Sequence, residues 1–272
     1  MKRILALLLA ISMVLAFAAC SNFDVPQPTE PSVTDPNPTD PADPTDPSDP
    51  ADPTEPPVET PNASEGLKFK LNNGGKSYSV EGIGSCADTE IVIPATYNDL
   101  PVTAICENAF DGNDSIISVV IPDSVTSIGY GAFLRCNLLV SVAIPDSIKA
   151  IGESAFRECS SLTEIRLPTG LKSIGTSLFD CCTSLTEITI PEGVTSIGTY
   201  AFYQCFNLAN VTIPVSVRSI GDTSFGCCSN LKNIYDGGTI AQWEEMSKNE
   251  FWDSGCYLHS GPEDYNLHTV KN

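Results

Sequence analysis

The strongest constraint on this chain is a period. Prolines stand at positions 122, 145, 168, 191 and 214, each 23 residues after the last. Glycines at 129, 152, 175, 198 and 221 keep the same step, as do cysteines at 136, 159, 182, 205 and 228. Phenylalanines run in phase from 110 through 133, 156, 179 and 202 to 225. The unit reads Leu-x-x-Ile-x-Ile-Pro-x-x-Val-x-x-Ile-Gly-x-x-Ala-Phe-x-x-Cys, as from Leu185 to Cys205. A single coil of this kind cannot bury its own inner face, so it needs neighbours on both sides. The expected fold is a parallel stacked solenoid, not a globule with an active-site cleft.

Each repeated position has a physical reason. Ile165 and Leu167 alternate with Arg166, which is strand periodicity with one face inward. Pro168 lacks a backbone donor and ends the ladder. Val194 and Ile197 form a second inward pair on the returning wall, and Gly198 is expected to permit a tight turn. The Ala-Phe pair that follows suits a short helical turn, with the ring filling the space between the walls. An irregular first coil carries a five-residue insertion between Pro94 and Phe110. Asn72 to Lys76, with Gly74-Gly75 inside, predicts a hairpin that closes the first edge.

The unit resembles the leucine-rich repeat subclass of the BspA-like bacterial surface proteins, from about Leu67 to the C-terminus. Gly82-Ile83-Gly84-Ser85-Cys86 before Ile91-Val92-Ile93-Pro94 is similar to that family's N-terminal cap. Ile234-Tyr235, Gly237-Gly238-Thr239 and Gln242-Trp243 are similar to its C-terminal cap. Cys106 in the glycine slot and Asn113 in the cysteine slot depart from the pattern. The resemblance implies a β-rich leucine-rich repeat solenoid with short helical turns, 23-residue coils and a cap at each end. It also implies a surface role in adhesion or protein binding, without catalysis. Five regions are expected: a lipoprotein signal peptide at 1–19, a stalk at 20–66, the N-terminal cap and irregular coil at 67–106, the solenoid at 107–233, and the C-terminal cap and tail at 234–272.

The regions before the repeat explain the composition. Met1-Lys2-Arg3, an apolar run from Ile4 to Ala16 and Phe17-Ala18-Ala19-Cys20 have the layout of an export signal. The run is shorter than the roughly 20 residues a membrane span needs. Its ending resembles the bacterial lipoprotein signal, which implies lipid on Cys20 and an extracytoplasmic, membrane-anchored chain. Phe17, where that signal most often has leucine, is its departure, and cleavage without lipid would give a secreted protein. From Ser21 to Gly66 there are 13 prolines, 11 acidic residues and no Lys or Arg. Such a segment cannot bury a core, and at about 3.1 Å per residue it could extend to roughly 140 Å. The whole chain has net charge −20: the stalk contributes −11 and residues 67–272 another −11, offset by Lys2 and Arg3. That balance, together with export, argues against nucleic acid as a partner.

Candidate chemistry is sparse. The two histidines, His259 and His268, lie in the tail, and Cys256-x-x-His259 has no partner pair for a metal site. No catalytic residue, metal ligand or cofactor site is assigned. Trp243 and Trp252 suit a hydrophobic plug in the C-terminal cap. The in-phase cysteines are expected to be buried free thiols, and the vicinal pairs Cys181-Cys182 and Cys227-Cys228 to be reduced. Cys86 and Cys106 lie off the ladder, where they could either pair or stay free.

What remains is the outward face of the strand. Its middle position reads Val92, Val120, Ala143, Arg166, Thr189, Thr212 along the stack, and Glu164 and Glu187 occupy the slot two residues earlier on adjacent coils. These eight residues form the candidate binding face. Its N-terminal half is small and apolar, and contiguous exposed apolar surface favours a docking patch. The partner expected is a protein or other surface macromolecule. A polysaccharide-binding accessory and a transporter's substrate-binding lipoprotein are the alternatives; the second needs two lobes and a hinge that the uniform period does not supply.

Overall fold

The structure, a computed structural model, describes residues 62–249, 251, 253 and 266–268. The signal segment, Cys20, most of the stalk, Trp252, Cys256 and His259 lie outside the described residues. Within them the chain is a β-solenoid of 23-residue coils whose short parallel rungs build two walls.

The first wall begins with a hairpin. β1 (Lys68–Leu71) runs antiparallel to β2 (Tyr78–Gly82), joined through Gly74 and Gly75, whose φ values of 105° and 67° suit glycine. β2 then pairs in parallel with β5 (Leu100–Ile105), followed by β7 (Ser127–Ile128) and β9 (Ala150–Ile151). The insertion folds β4 (Thr96–Tyr97) back on β5 as a small antiparallel hairpin. A separate sheet continues this wall: β10 (Ser173–Ile174), β12 (Ser196–Ile197), β14 (Ser219–Ile220) and β16 (Ser247–Lys248).

The second wall carries the rungs that precede each proline. β3 (Glu90–Val92), β6 (Ser118–Val120) and β8 (Ser141–Ala143) form one parallel sheet. β11 (Glu187–Thr189), β13 (Asn210–Ile213), β15 (Asn233–Asp236) and β17 (Asn266–His268) form another. α1 (Ile240–Glu245) lies in the C-terminal cap, with a capping box between Thr239 and Gln242 and with Trp243 buried.

A third edge closes each coil with successive hydrogen-bonded turns in place of the expected short helix. Each coil has two residues with left-handed φ, four apart: Ser154 and Glu158, Ser177 and Cys181, Tyr200 and Gln204. Left-handed φ costs a side-chain-bearing residue roughly 1–2 kcal/mol. Here it aims backbone N–H groups along the stack, where Ser177, Phe179 and Cys181 donate to Thr199, Ala201 and Tyr203 of the next coil. The periodic glycine has a different reason from the turn expected of it. Its φ is not left-handed; instead a Cβ on Gly152 would stand 2.4 Å from the Tyr130 nitrogen, so close backbone approach between coils excludes any side chain.

Between the walls the six phenylalanines stack into a spine, buried, with ring centroids 5.1–5.7 Å apart. Beside it runs the cysteine ladder, and all five of its thiols are free and buried. Each is more than a small apolar filler. Cys136, Cys159, Cys182, Cys205 and Cys228 place Sγ 3.1 Å from the carbonyl of Phe110, Phe133, Phe156, Phe179 and Phe202 respectively. The same carbonyl accepts an N–H from its own coil, such as Cys159 to Phe156, so the thiol occupies its second lone pair. Burial pushes the Cys136 thiol up to about 12 and holds the others above the usual range. Asn113, in the cysteine slot of the first coil, instead accepts from the Ser115 and Ile116 amides. Cys86 and Cys106 are free and half-buried. One expectation is corrected: Cys227 is disulfide-bonded, whereas its neighbour Cys228 is free. Vicinal position does not link their fates, because Cys227 has left-handed φ at 62° whereas Cys228 takes the ladder position.

Candidate binding surface

The second wall brings the outward residues into register. Val92 lies beside Val120 and Val120 beside Ala143. Thr189 lies beside Thr212, and the row continues to Tyr235 and His268. Val120 and Ala143 are exposed, whereas Val92 is half-buried. The apolar area is wider than these three residues. Ile117, Leu138 and Val140 are 42%, 50% and 39% exposed at the corner leading into the wall. Val140 donates its N–H to the Ile117 carbonyl at 2.8 Å, so the two lie on adjacent rungs. Sequence reasoning followed the strand positions and missed this corner. Its signal was the slot after the periodic Ile or Leu, which changes from Ile117 and Val140 to Thr163 and Thr186 along the stack.

The middle of the wall is charged. Arg166 is not in a strand; its Nη2 donates to Asp146 Oδ2 at 2.8 Å. That hydrogen bond, and next the Thr169 N–H on Oδ1, hold the Asp146 carboxyl down at about 2. Both partners are solvent-exposed, so the pair positions the Arg166 side chain more than it stabilises the fold. Glu164 and Glu187 do not meet as adjacent paired rungs, because residues 164–167 form no strand; Glu187 pairs with Asn210 instead. Among the described residues neither glutamate forms an ion pair. Both line a groove of about 660 Å³ with Ser141, Ala143, Arg166 and Thr189.

The C-terminal part of the wall is polar and aromatic. Asn233 donates to Asn210 at 2.8 Å, and Asn266 continues this amide ladder towards Asn233 at 3.4 Å. Tyr235, 41% exposed, stacks on His268 with centroids 4.6 Å apart. His268 Nε2 lies 3.1 Å from Asn233 Oδ1, so this tail histidine belongs to the wall. Trp243 is buried, with the Lys248 ammonium 4.7 Å from its ring centroid, a packed cap residue. Among the described residues no group of three or more His, Cys, Asp or Glu side chains is arranged to hold a metal. No helix among them is long and apolar enough to cross a membrane.

Stacked 23-residue coils with an inward Leu/Ile ladder, a phenylalanine spine and a parallel wall define a leucine-rich repeat protein. Residues 103–232 match the model of the BspA type leucine rich repeat region in six copies. A leucine rich repeat protein of T. pallidum is 30% identical with TM-score 0.60; the alignment covers 66% of this chain and 87% of that one. The chain belongs to the BspA-type leucine-rich repeat family. A leucine rich cell surface protein of Faecalibacterium prausnitzii is 29% identical with TM-score 0.50, covering 69% of this chain and 42% of that one. A leucine-rich repeat protein of Eubacterium ventriosum shares the fold at TM-score 0.56 and 21% identity, covering 68% of this chain and 48% of that one. The chain therefore spans less than half of each of these last two proteins. No curated protein matches it.

Proposed function

We propose that this is a bacterial surface protein that binds another protein through its second wall, by surface complementarity and without catalysis. The observation that carries the reading is the apolar patch of Ile117, Val120, Leu138, Val140 and Ala143. It is exposed on two neighbouring rungs and the corner before them, in a fold whose other large apolar side chains mostly face inward. A preformed wall loses little conformational entropy on binding, which favours affinity. Family membership and the cell-surface description of the F. prausnitzii protein support an extracytoplasmic location. The test is capture of host and bacterial surface proteins by the full chain at two salt concentrations. Contact through the apolar patch predicts capture that persists at high salt, whereas loss of capture would assign recognition to the charged residues.

Anchoring is part of the proposal. Lipid on Cys20 would hold the chain at a membrane, with the acidic proline-rich stalk as spacer. Clustered copies would then gain avidity. Metabolic labelling with a fatty acid is expected to mark the wild type and leave Cys20→Ala unlabelled and released; equal labelling of both would refute the anchor. A second reading, polysaccharide binding, draws on the exposed Tyr235 ring beside the asparagine ladder. Capture of glycans that is lost in Tyr235→Ala would favour it.

A further inference from the structure

Both walls lose pairing at the coil Leu162–Cys182: the first wall breaks at its junction with the coil Leu139–Cys159, and on the second wall residues 164–167 form no rung with either neighbour. On the first wall the regular cross-coil bonds include Lys149 N–H to Thr126 and Gly152 N–H to Ile128, at 2.9 and 2.8 Å. They resume with Thr195 to Lys172 and Gly198 to Ile174, each at 2.9 Å. Their equivalents from Lys172 and Gly175 are absent among the described residues, and β9 does not pair with β10. On the second wall Ile121 donates to Ala143 and Ile190 to Thr212, but Ile144 and Leu167 donate to no neighbouring rung. Among backbone pairs only a 3.4 Å approach of Thr163 N–H to the Val140 carbonyl spans this wall at the junction; the exposed Asp146 carboxylate also bridges it, accepting from Arg166 and from the Thr169 N–H at 2.8 and 2.9 Å.

Packing loosens at the same place. The Phe156–Phe179 centroid distance is the largest in the spine at 5.7 Å, against 5.1 Å at either end. A Cβ on Gly175 would meet its nearest neighbour at 3.5 Å, where Gly152 and Gly198 leave only 2.4 and 2.7 Å. Ile151 and Ile165 are half-buried, although their counterparts Ile128, Ile174 and Ile188 are 1–3% exposed. Lys149 and Lys172 hold the same slot on the two facing coils, and stacked like charges oppose closure. The third edge, by contrast, is intact across the junction: Ser154, Phe156 and Glu158 donate to Thr176, Leu178 and Asp180 at 3.0, 3.1 and 2.7 Å. The Arg157–Asp180 ion pair spans the junction there as well.

We propose that this junction is a flexure: the first wall opens and closes there while the turn edge acts as the hinge line and the exposed Asp146 bridge tethers the second wall. The solenoid then moves as two rigid plates, one carrying the apolar patch and the other the asparagine ladder, and the groove beside Glu164 and Arg166 changes width between them. This proposal stands apart from the identity or existence of a partner.

The test is backbone amide exchange and relaxation dispersion on the full chain, with Gly152→Ala and Gly175→Ala as a contrasting pair. Amides of Ile144, Lys172 and Gly175 are expected to exchange at least tenfold faster than those of Ile121, Ile190, Thr195 and Gly198. Ser154, Phe156 and Glu158 are expected to stay as protected as Ser177, Phe179 and Cys181. Dispersion on the microsecond-to-millisecond scale is expected to concentrate at the junction. Gly152→Ala should lower the melting midpoint by several degrees, and Gly175→Ala should leave it nearly unmoved. Uniform protection along the walls, equal loss at the turn edge, flat dispersion, or equal destabilisation by the two alanines would each overturn the proposal.

Discussion

Replacing Phe179 by alanine is expected to lower the unfolding free energy by about 3–5 kcal/mol, a large share of what a domain of this size possesses. The ring is fully buried and stacks on Phe156 at 5.7 Å and on Phe202 at 5.5 Å. Truncation removes both aromatic contacts and leaves a void in the spine, because turn-edge hydrogen bonds tie the backbone around Phe179 to both neighbouring coils and oppose its collapse. In a linear stack each coil is stabilised mainly by its neighbours, so the loss is not confined to one coil. Phe179 also sits next to the junction where wall hydrogen bonds are missing. There the spine and the turn edge carry most of the coupling, so the variant should unfold in two steps where the wild type unfolds in one. Guanidinium titration followed by circular dichroism measures both effects. Leu138→Ala, at a half-exposed site, serves as control and should cost less than about 0.5 kcal/mol. A loss below about 1 kcal/mol for Phe179→Ala would contradict its place in the spine.

The period made the solenoid legible because each ladder is a one-dimensional object. A residue that must meet its own copy in the next coil recurs at the coil length, and Phe133, Phe156 and Phe179 do so. What a ladder residue does was less legible. The cysteines read as buried, but their donation to phenylalanine carbonyls depends on where the turn edge aims those oxygens. Glycine at 152 reads as a turn former, whereas it answers to the backbone of the preceding coil. The left-handed pairs, such as Tyr200 and Gln204, carry no glycine signal; the cross-coil N–H bonds offset their strain. The broken junction was hidden for a related reason. The coil from Leu162 to Cys182 keeps its periodic Leu, Ile, Pro, Gly, Phe and Cys. Its departures, Leu167 and Leu171, and Leu178 in the alanine slot, are apolar changes whose effect on the spacing between coils a period does not reveal. At the binding wall the strand positions Val120 and Ala143 were visible as an alternating pattern. Ile117, Leu138 and Val140 were not, because they lie at a corner outside that alternation, although Ile117 and Val140 recur one coil apart.

The central claim is that the apolar half of the second wall is where a partner docks. Val120 and Ala143 lie on neighbouring rungs with side chains in solvent, so aspartate at both positions places two carboxylates in the middle of the patch without touching the core. Desolvating those charges against an apolar partner surface should weaken binding at least about 30-fold, equivalent to about 2 kcal/mol. The folded chain should be nearly unaffected, because both positions face outward. The measurement is affinity for the captured partner, wild type against Val120→Asp/Ala143→Asp, with the melting temperature recorded for each. The account predicts lost binding at an unchanged melting temperature; unchanged binding at an unchanged melting temperature would contradict it.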